Sequence, residues 1–184
     1  MPTIIGFSGN ITRPSRTFAF VDHVVQEIAG RTGLAGLTYD IEALGPSLLR
    51  ARRASDLDGH ARDILERIVQ SDILVVGSPT YKGSYTGLFK HFFDLLEPAA
   101  LRGKPVVLTA TGGGDRHALV AEHSLRPLFG FFEALTLPTA IYASDRDFAD
   151  GKIVSDATLL RVAQAVSQAA AALKSTEGFA LAAE

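Results

Sequence analysis

Residues 73–87 read ILVVGSPTYKGSYTG. The opening ILVVG is apolar throughout, as expected of a strand covered on both faces. The remainder, SPTYKGSYTG (78–87), is a polar turn, and an apolar helical segment over 88–96 follows it. Strand, turn and helix recur on either side of this stretch. TIIGF (3–7), PVVLTA (105–110) and TAIYA (139–143) read as strands, and the weakly alternating GLTYDI (36–41) reads as an edge strand. Phe18, Val21, Val25 and Ile28 share one helical face. So do Leu57, Ala61, Ile64, Leu65 and Ile68, with Ser55-x-x-Asp58 as a capping box. Ser155 is placed to cap a last helix whose face carries Leu159, Val162, Val166, Ala170 and Leu173.

Strands alternating with helices predict an α/β fold, a parallel sheet with helices on both faces. The expected architecture is a flavodoxin-like three-layer α/β/α sandwich with a five-stranded parallel sheet in the order 2-1-3-4-5. Residues 1–175 should form a single domain, and 176–184 a loose tail. Composition narrows the function. With a net charge of −2, a binder driven by nucleic-acid phosphates is disfavoured. No cysteine is present, so disulfides, thiolate catalysis and Cys-ligated metal centres are excluded. The five histidines (23, 60, 91, 117, 123) lack H-x-x-x-H and H-E-x-x-H spacing, and no metal site is expected. The N-terminus lacks the pattern of a signal peptide, and no apolar run approaches the roughly 20 residues of a membrane helix, so a cytoplasmic protein is expected.

In open parallel sheets, ligands bind outside the carboxyl ends of the strands, where strand order reverses. Three chemically rich loops fall there, and the other strand ends carry less. SGNITRPSRT (8–17) has neither G-x-G-x-x-G nor a Gly-Lys-Ser/Thr motif. It offers Ser8, Asn10, Thr12, Ser15 and Thr17 with Arg13 and Arg16, ahead of a helix N-terminus: the parts of a phosphate-monoester pocket. Read alone, Ser15 is an ordinary helix cap and the arginines are solvated. The second loop offers Pro79, Thr80, Tyr81, Gly83 and Ser84, a stiff turn whose backbone can approach a flat partner. The third, Thr111-Gly112-Gly113-Gly114, spends backbone entropy on three consecutive glycines, tolerated where a ligand needs the main chain close. A phosphate cup beside two backbone-lined walls suits a flat ring with one terminal phosphate, FMN.

SGNITRPSRT, PTYKGSYTGLFKHFFD and TATGGGDRHALVAEHSLRPLFGFF together resemble the NAD(P)H-dependent FMN reductases of flavodoxin-like fold. They are most similar to the reductase components of two-component alkanesulfonate or methanesulfonate monooxygenase systems. The resemblance covers roughly residues 3–145. It implies that Ser8, Arg13, Ser15, Arg16 and Thr17 contact the FMN phosphate. It implies that Pro79, Thr80, Tyr81, Lys82, Gly83 and Ser84 hold the ring, with Thr111, Gly112, Gly113 and Gly114 near the flavin. It further implies hydride transfer from NAD(P)H to FMN, with FMNH2 supplied to a flavin-dependent monooxygenase in organosulfur metabolism. The alternatives are an FMN-bound quinone or azo reductase and a flavodoxin-like electron carrier. The last is disfavoured, because flavodoxins are strongly acidic.

A helix expected over about 115–135 contains Pro127, which has no N–H for the His123 carbonyl. A π-type widening there, as the resemblance also implies, would place His123 near a subunit interface and a flavin; no other catalytic residue is nominated. Six of the eleven phenylalanines (89, 92, 93, 129, 131, 132) crowd into two helices. Residues 88–96 are apolar around most of the helix, so a second subunit is expected, as a homodimer or homotetramer.

Overall fold

The first apolar run forms β1 (Thr3–Ser8), and Ser15 caps α1 (Arg16–Thr32) by accepting the Phe18 N–H at 3.2 Å. Gly33, at φ 75°, ends α1 in the left-handed conformation that a Cβ would strain. Then come β2 (Ala35–Asp40), α2 (Gly59–Gln70), β3 (Ile73–Pro79), α3 (Gly87–Asp94) and β4 (Pro105–Gly112). After α4 (Arg126–Phe131) come β5 (Leu135–Thr136), β6 (Ile141–Ser144) and a hairpin of β7 (Phe148–Ala149) and β8 (Lys152–Ile153). The chain closes with α5 (Asp156–Leu181). This computed structural model describes residues 3–181, with 174–181 described by backbone alone.

The main sheet is parallel, in the order β2-β1-β3-β4 with β5 and β6 both beyond β4. The flavodoxin-like order is the expected one, but the fifth strand is split. Leu135 lies opposite Pro105 and Ile141 opposite Thr109, so TAIYA enters the ladder only at Ile141. Pro138 stands in the gap and has no N–H to give a ladder. Alternation along the strands feeds two cores. Ile5, Phe7, Val76 and Leu108 pack under α2, α3 and α4, whereas Ile4, Val75 and Val107 pack against α1 and α5.

Local expectations are corrected in four places. Asp58 alone caps α2, accepting the Ala61 N–H at 2.9 Å, because Ser55 is drawn into a preceding 3₁₀ turn, Ala54–Asp56. Phe20 rather than Phe18 takes the core position on α1. The long fourth helix is broken into a 3₁₀ turn (Asp115–His117), a π turn (Ala121–Leu125) and α4. The π widening is closed by the Arg126 N–H on the Ala121 carbonyl, and Pro127 follows at the second position of α4. Residues 176–181, expected as a loose tail, lie within the bounds of α5; 182–184 lie outside the described residues.

The phenylalanine excess is consumed within one chain. Phe89, Phe92, Phe93 and Phe129 are fully buried and form a ring cluster with Phe7, with centroids 4.3 Å apart for Phe7–Phe92 and 4.9 Å for Phe93–Phe129. Phe131 is the exception, 67% exposed.

Candidate functional site

The site is built where β1, β3 and β4 end together, Ser8 beside Gly77 and Pro79 beside Thr111. Backbone bonds sew the first two loops to this edge. The Gly9 N–H donates to the Gly77 carbonyl and the Thr80 N–H to the Thr111 carbonyl, both at 2.7 Å. The Thr86 hydroxyl donates to the Gly9 carbonyl at 2.7 Å. A Cβ on Gly9 would sit 2.7 Å from the Phe89 ring, so only glycine lets the first loop lie down on α3.

The three loops enclose a cavity of about 270 Å³. The first contributes Asn10, Thr12, Ser15, Arg16 and Thr17; the second Pro79, Thr80 and Tyr81; the third Thr111, Gly112 and Gly113. The Thr17 and Thr111 hydroxyls bond to each other at 2.7 Å across it. Among the described residues, three oxygens at this edge are buried with no partner: Ser8 Oγ, Asn10 Oδ1 and Thr80 Oγ1. An unpaired buried polar group costs about 1–3 kcal/mol, so three together call for a ligand that supplies the missing bonds. The first turn of α1 holds no acidic residue, which leaves its free N–H groups and positive end for an external anion.

The two arginines of the first loop part company. Arg13 turns away and grips the fully buried Asp40 through Nε at 2.7 Å and Nη2 at 2.5 Å. Asp40 also accepts from Asn10 Nδ2 at 3.1 Å and from the Ala43 N–H at 3.0 Å. Burial alone would push the Asp40 carboxyl up, but the bonds from Arg13, Asn10 and Ala43 hold it below the usual carboxylate range. Arg16 stays on the cavity wall, paired with Asp145 at 2.9 Å and 6.0 Å above the Phe148 ring.

The second loop closes as a tight hairpin, with Tyr81 and Ser84 exchanging backbone bonds of 2.8 and 3.1 Å. Its central residues, Lys82 at φ 53° and Gly83 at φ 85°, are both left-handed and exposed at the tip. The third loop is fixed by the Tyr142 hydroxyl, which donates to the Gly114 carbonyl at 2.6 Å. A Cβ on Gly112 would meet that hydroxyl at 2.3 Å, whereas one on Gly113 would meet nothing within 4 Å. Burial, with Asp115, Asp145 and Asp147 nearby, pushes the Tyr142 phenol up.

Ser15, Arg16, Thr17, Pro79, Thr80, Tyr81, Thr111, Gly112 and Gly113 thus meet at one cavity, while Ser8 is buried at the end of β1 and does not line it. The others lie elsewhere. Arg13 serves Asp40, Lys82 and Gly83 form the hairpin tip, and Gly114 is tied to Tyr142. Ser84 and His123 line a separate groove with Tyr85, Pro127 and Phe131. The π turn bordering that groove is stapled by Arg126, which donates to Glu122 at 2.5 and 2.9 Å and holds its carboxyl below the usual range. Asp145 and Phe148, both on the cavity wall, were missed. They follow the fifth strand at the same edge of the sheet, and the rule that drew attention to three strand ends applies to that one as well.

A parallel sheet with a hydroxyl- and amide-lined cavity at its carboxyl edge, beside a helix N-terminus, defines a flavodoxin-like protein with a pocket suited to an anionic group. More particularly, the chain belongs to the NADPH-dependent FMN reductase family, whose model matches residues 2–149. It is 41% identical over 167 residues to the NADH-dependent FMN reductase SfnF of Pseudomonas fluorescens, covering 91% of this chain and 89% of that protein. It is 42% identical to an FMN reductase (NADPH) of Pseudomonas aeruginosa, covering 91% and 90%. Among solved structures it resembles an oxidoreductase from Corynebacterium diphtheriae, with a TM-score of 0.80 and 32% identity over 95% of this chain and 98% of that one. It also resembles the apo form of the NADH:FMN oxidoreductase EMOB, with a TM-score of 0.83 and 26% identity over 92% and 89%.

Proposed function

We propose that the protein is an NAD(P)H:FMN oxidoreductase whose flavin site is the cavity at the carboxyl edge of the sheet. The observation that carries this reading is the pair of buried, unpartnered oxygens of Asn10 and Thr80 on a cavity that also holds Arg16 and the N-terminus of α1, with that of Ser8 at the end of β1 beside them. These groups suit FMN. Arg16, Ser15, Thr17 and the first N–H groups of α1 bind the phosphate. Thr80, Tyr81 and the Thr111–Gly113 backbone orient the ring. Bound FMN supplies the hydride acceptor for the nicotinamide; the protein contributes position and charge, and no side chain need act as acid or base. Gly113 leaves one side of the third loop open, room for a second planar ring to approach.

The reduced flavin serves a flavin-dependent monooxygenase partner, in organosulfur metabolism, as the resemblance of the three loops supports. The groove between α3 and the π turn, with the exposed Phe131, is the face we assign to a second subunit, so that the active form is a homodimer or homotetramer. Among the described residues no helix is long and apolar enough to cross a membrane.

A steady-state assay of NADH and NADPH oxidation, with and without added FMN, tests this reading. Colourless protein whose activity requires added FMN is the expected result. Yellow protein that keeps its flavin through dialysis and reduces quinones or azo dyes would replace it with a bound-flavin acceptor reductase. Absence of FMN binding would remove it.

A further inference from the structure

The charge on the cavity wall is balanced in an unusual way for a phosphate site. Among the described residues Arg16 is the single cation lining it, since Arg13 is committed to Asp40 and Glu42 and Lys82 lies at the hairpin tip. Facing Arg16 on the same wall is a carboxylate, Asp145, with Oδ1 2.9 Å from Arg16 Nη1. No structural need of its own turn requires this acid. The 3₁₀ turn Asp145–Asp147 is capped by Asp147, which accepts the Ser144 N–H at 2.7 Å and the Ser144 hydroxyl at 3.0 Å. Among the described residues, Asp145 makes its ion pair with Arg16.

We infer that Asp145 is a determinant of flavin affinity: it competes with the FMN phosphate for Arg16, repels that phosphate, and so keeps FMN an exchangeable substrate. The inference rests on FMN occupying this cavity as proposed above. A phosphate monoester carries up to two negative charges near neutral pH. It can engage Arg16 only by displacing Asp145 or by sharing the guanidinium with it, against like-charge repulsion at a few ångströms. Both groups of the existing pair are half exposed, so the pair is weak enough to open and its opposition is screened by salt. The site then holds the flavin long enough to reduce it without storing it, as delivery to a partner demands.

The test titrates wild type, Asp145→Asn and Asp145→Glu with FMN and, separately, with riboflavin, following flavin fluorescence and calorimetric heat. Asp145→Asn should bind FMN about tenfold more tightly, the size of one like charge removed at this range in a partly screened site. Riboflavin, which lacks the phosphate, should bind all three proteins alike. The charge-preserving Asp145→Glu should stay near wild type, and the gain in Asp145→Asn should shrink in high salt. Unchanged or weaker FMN binding by Asp145→Asn would overturn the inference, the latter by showing that the acid positions Arg16. Equal tightening of FMN and riboflavin would overturn it too. Wild type that binds riboflavin and FMN but gains nothing from the substitution sinks this inference alone; wild type that binds neither sinks the proposed function with it.

Discussion

At the amino edge of the sheet the Thr3 N–H donates to Asp72 at 2.6 Å, the Lys104 ammonium donates to the Ser71 carbonyl, and Arg102 grips Glu133 with bonds of 2.9 and 3.1 Å. At the carboxyl edge, Ser8, Asn10 and Thr80 each bury an oxygen with no partner. The same strands supply both edges, so fold alone does not account for the difference. One edge has spent its polar groups on itself. The other holds some in reserve, at a cost to the free protein, which a ligand would repay.

Substitutions can break or sharpen this contrast. The largest effect is expected at Asp40, which anchors the first loop from beneath. Asp40→Ala should cost about 2–3 kcal/mol in denaturant unfolding, below the full value for a buried ion pair because Arg13 is half exposed. Its folded pKa is depressed, so its contribution is present above the unfolded value of about 3.9 and is lost as pH falls through the folded value. Asp40→Asn should therefore show a shallower acid limb than wild type when stability is followed below about pH 4.

Next comes Arg16→Ala, which should weaken FMN binding by about 1.5–3 kcal/mol, a hydrogen bond to a charged group, with little change in stability. Unaltered affinity in a titration would take Arg16 out of the pocket. Ser8→Ala is the sharpest probe of the reserve. It should leave the ligand-free protein as stable as wild type or more so, and cost about 1 kcal/mol of FMN affinity. A loss of stability without FMN would mean that the hydroxyl is already satisfied. The smallest effect belongs to the amino edge. Burial pushes the Lys104 ammonium down, only partly offset by Asp72, so Lys104→Met should change stability by no more than about 1 kcal/mol. FMN affinity should not move, and a shift in it would undo the separation of the two edges.

Much of this was legible in the sequence because it rests on local chemistry. Apolar runs name the strands, Ser15 names a cap, and the reversal rule alone gathers Arg16, Thr80 and Gly112 at one edge. What stayed hidden depends on partners distant in sequence. That Arg13 and Arg16, three residues apart, serve different masters is decided by Asp40 and Asp145, which no spacing rule links to them. Apolar excess on α3 reads the same whether it faces a second chain or Phe7 and Phe129 of its own, and here it faces its own. The break in the fifth strand turns on Pro138 and on arginines from two helices. Arg126 donates to the Leu137 carbonyl at 3.0 Å, and Arg161 to the Ala140 carbonyl at 2.8 Å.

That break governs how the molecule behaves in a crowd. An outer strand is a rail onto which a stray extended peptide can zip, rung after rung. Here the rail offers pieces of two and four residues, with a proline between them and guanidinium groups already seated on carbonyls in the gap. A foreign strand would run out of rungs before its contacts outweighed the entropy of ordering it, which guards this rim against fibril-like stacking.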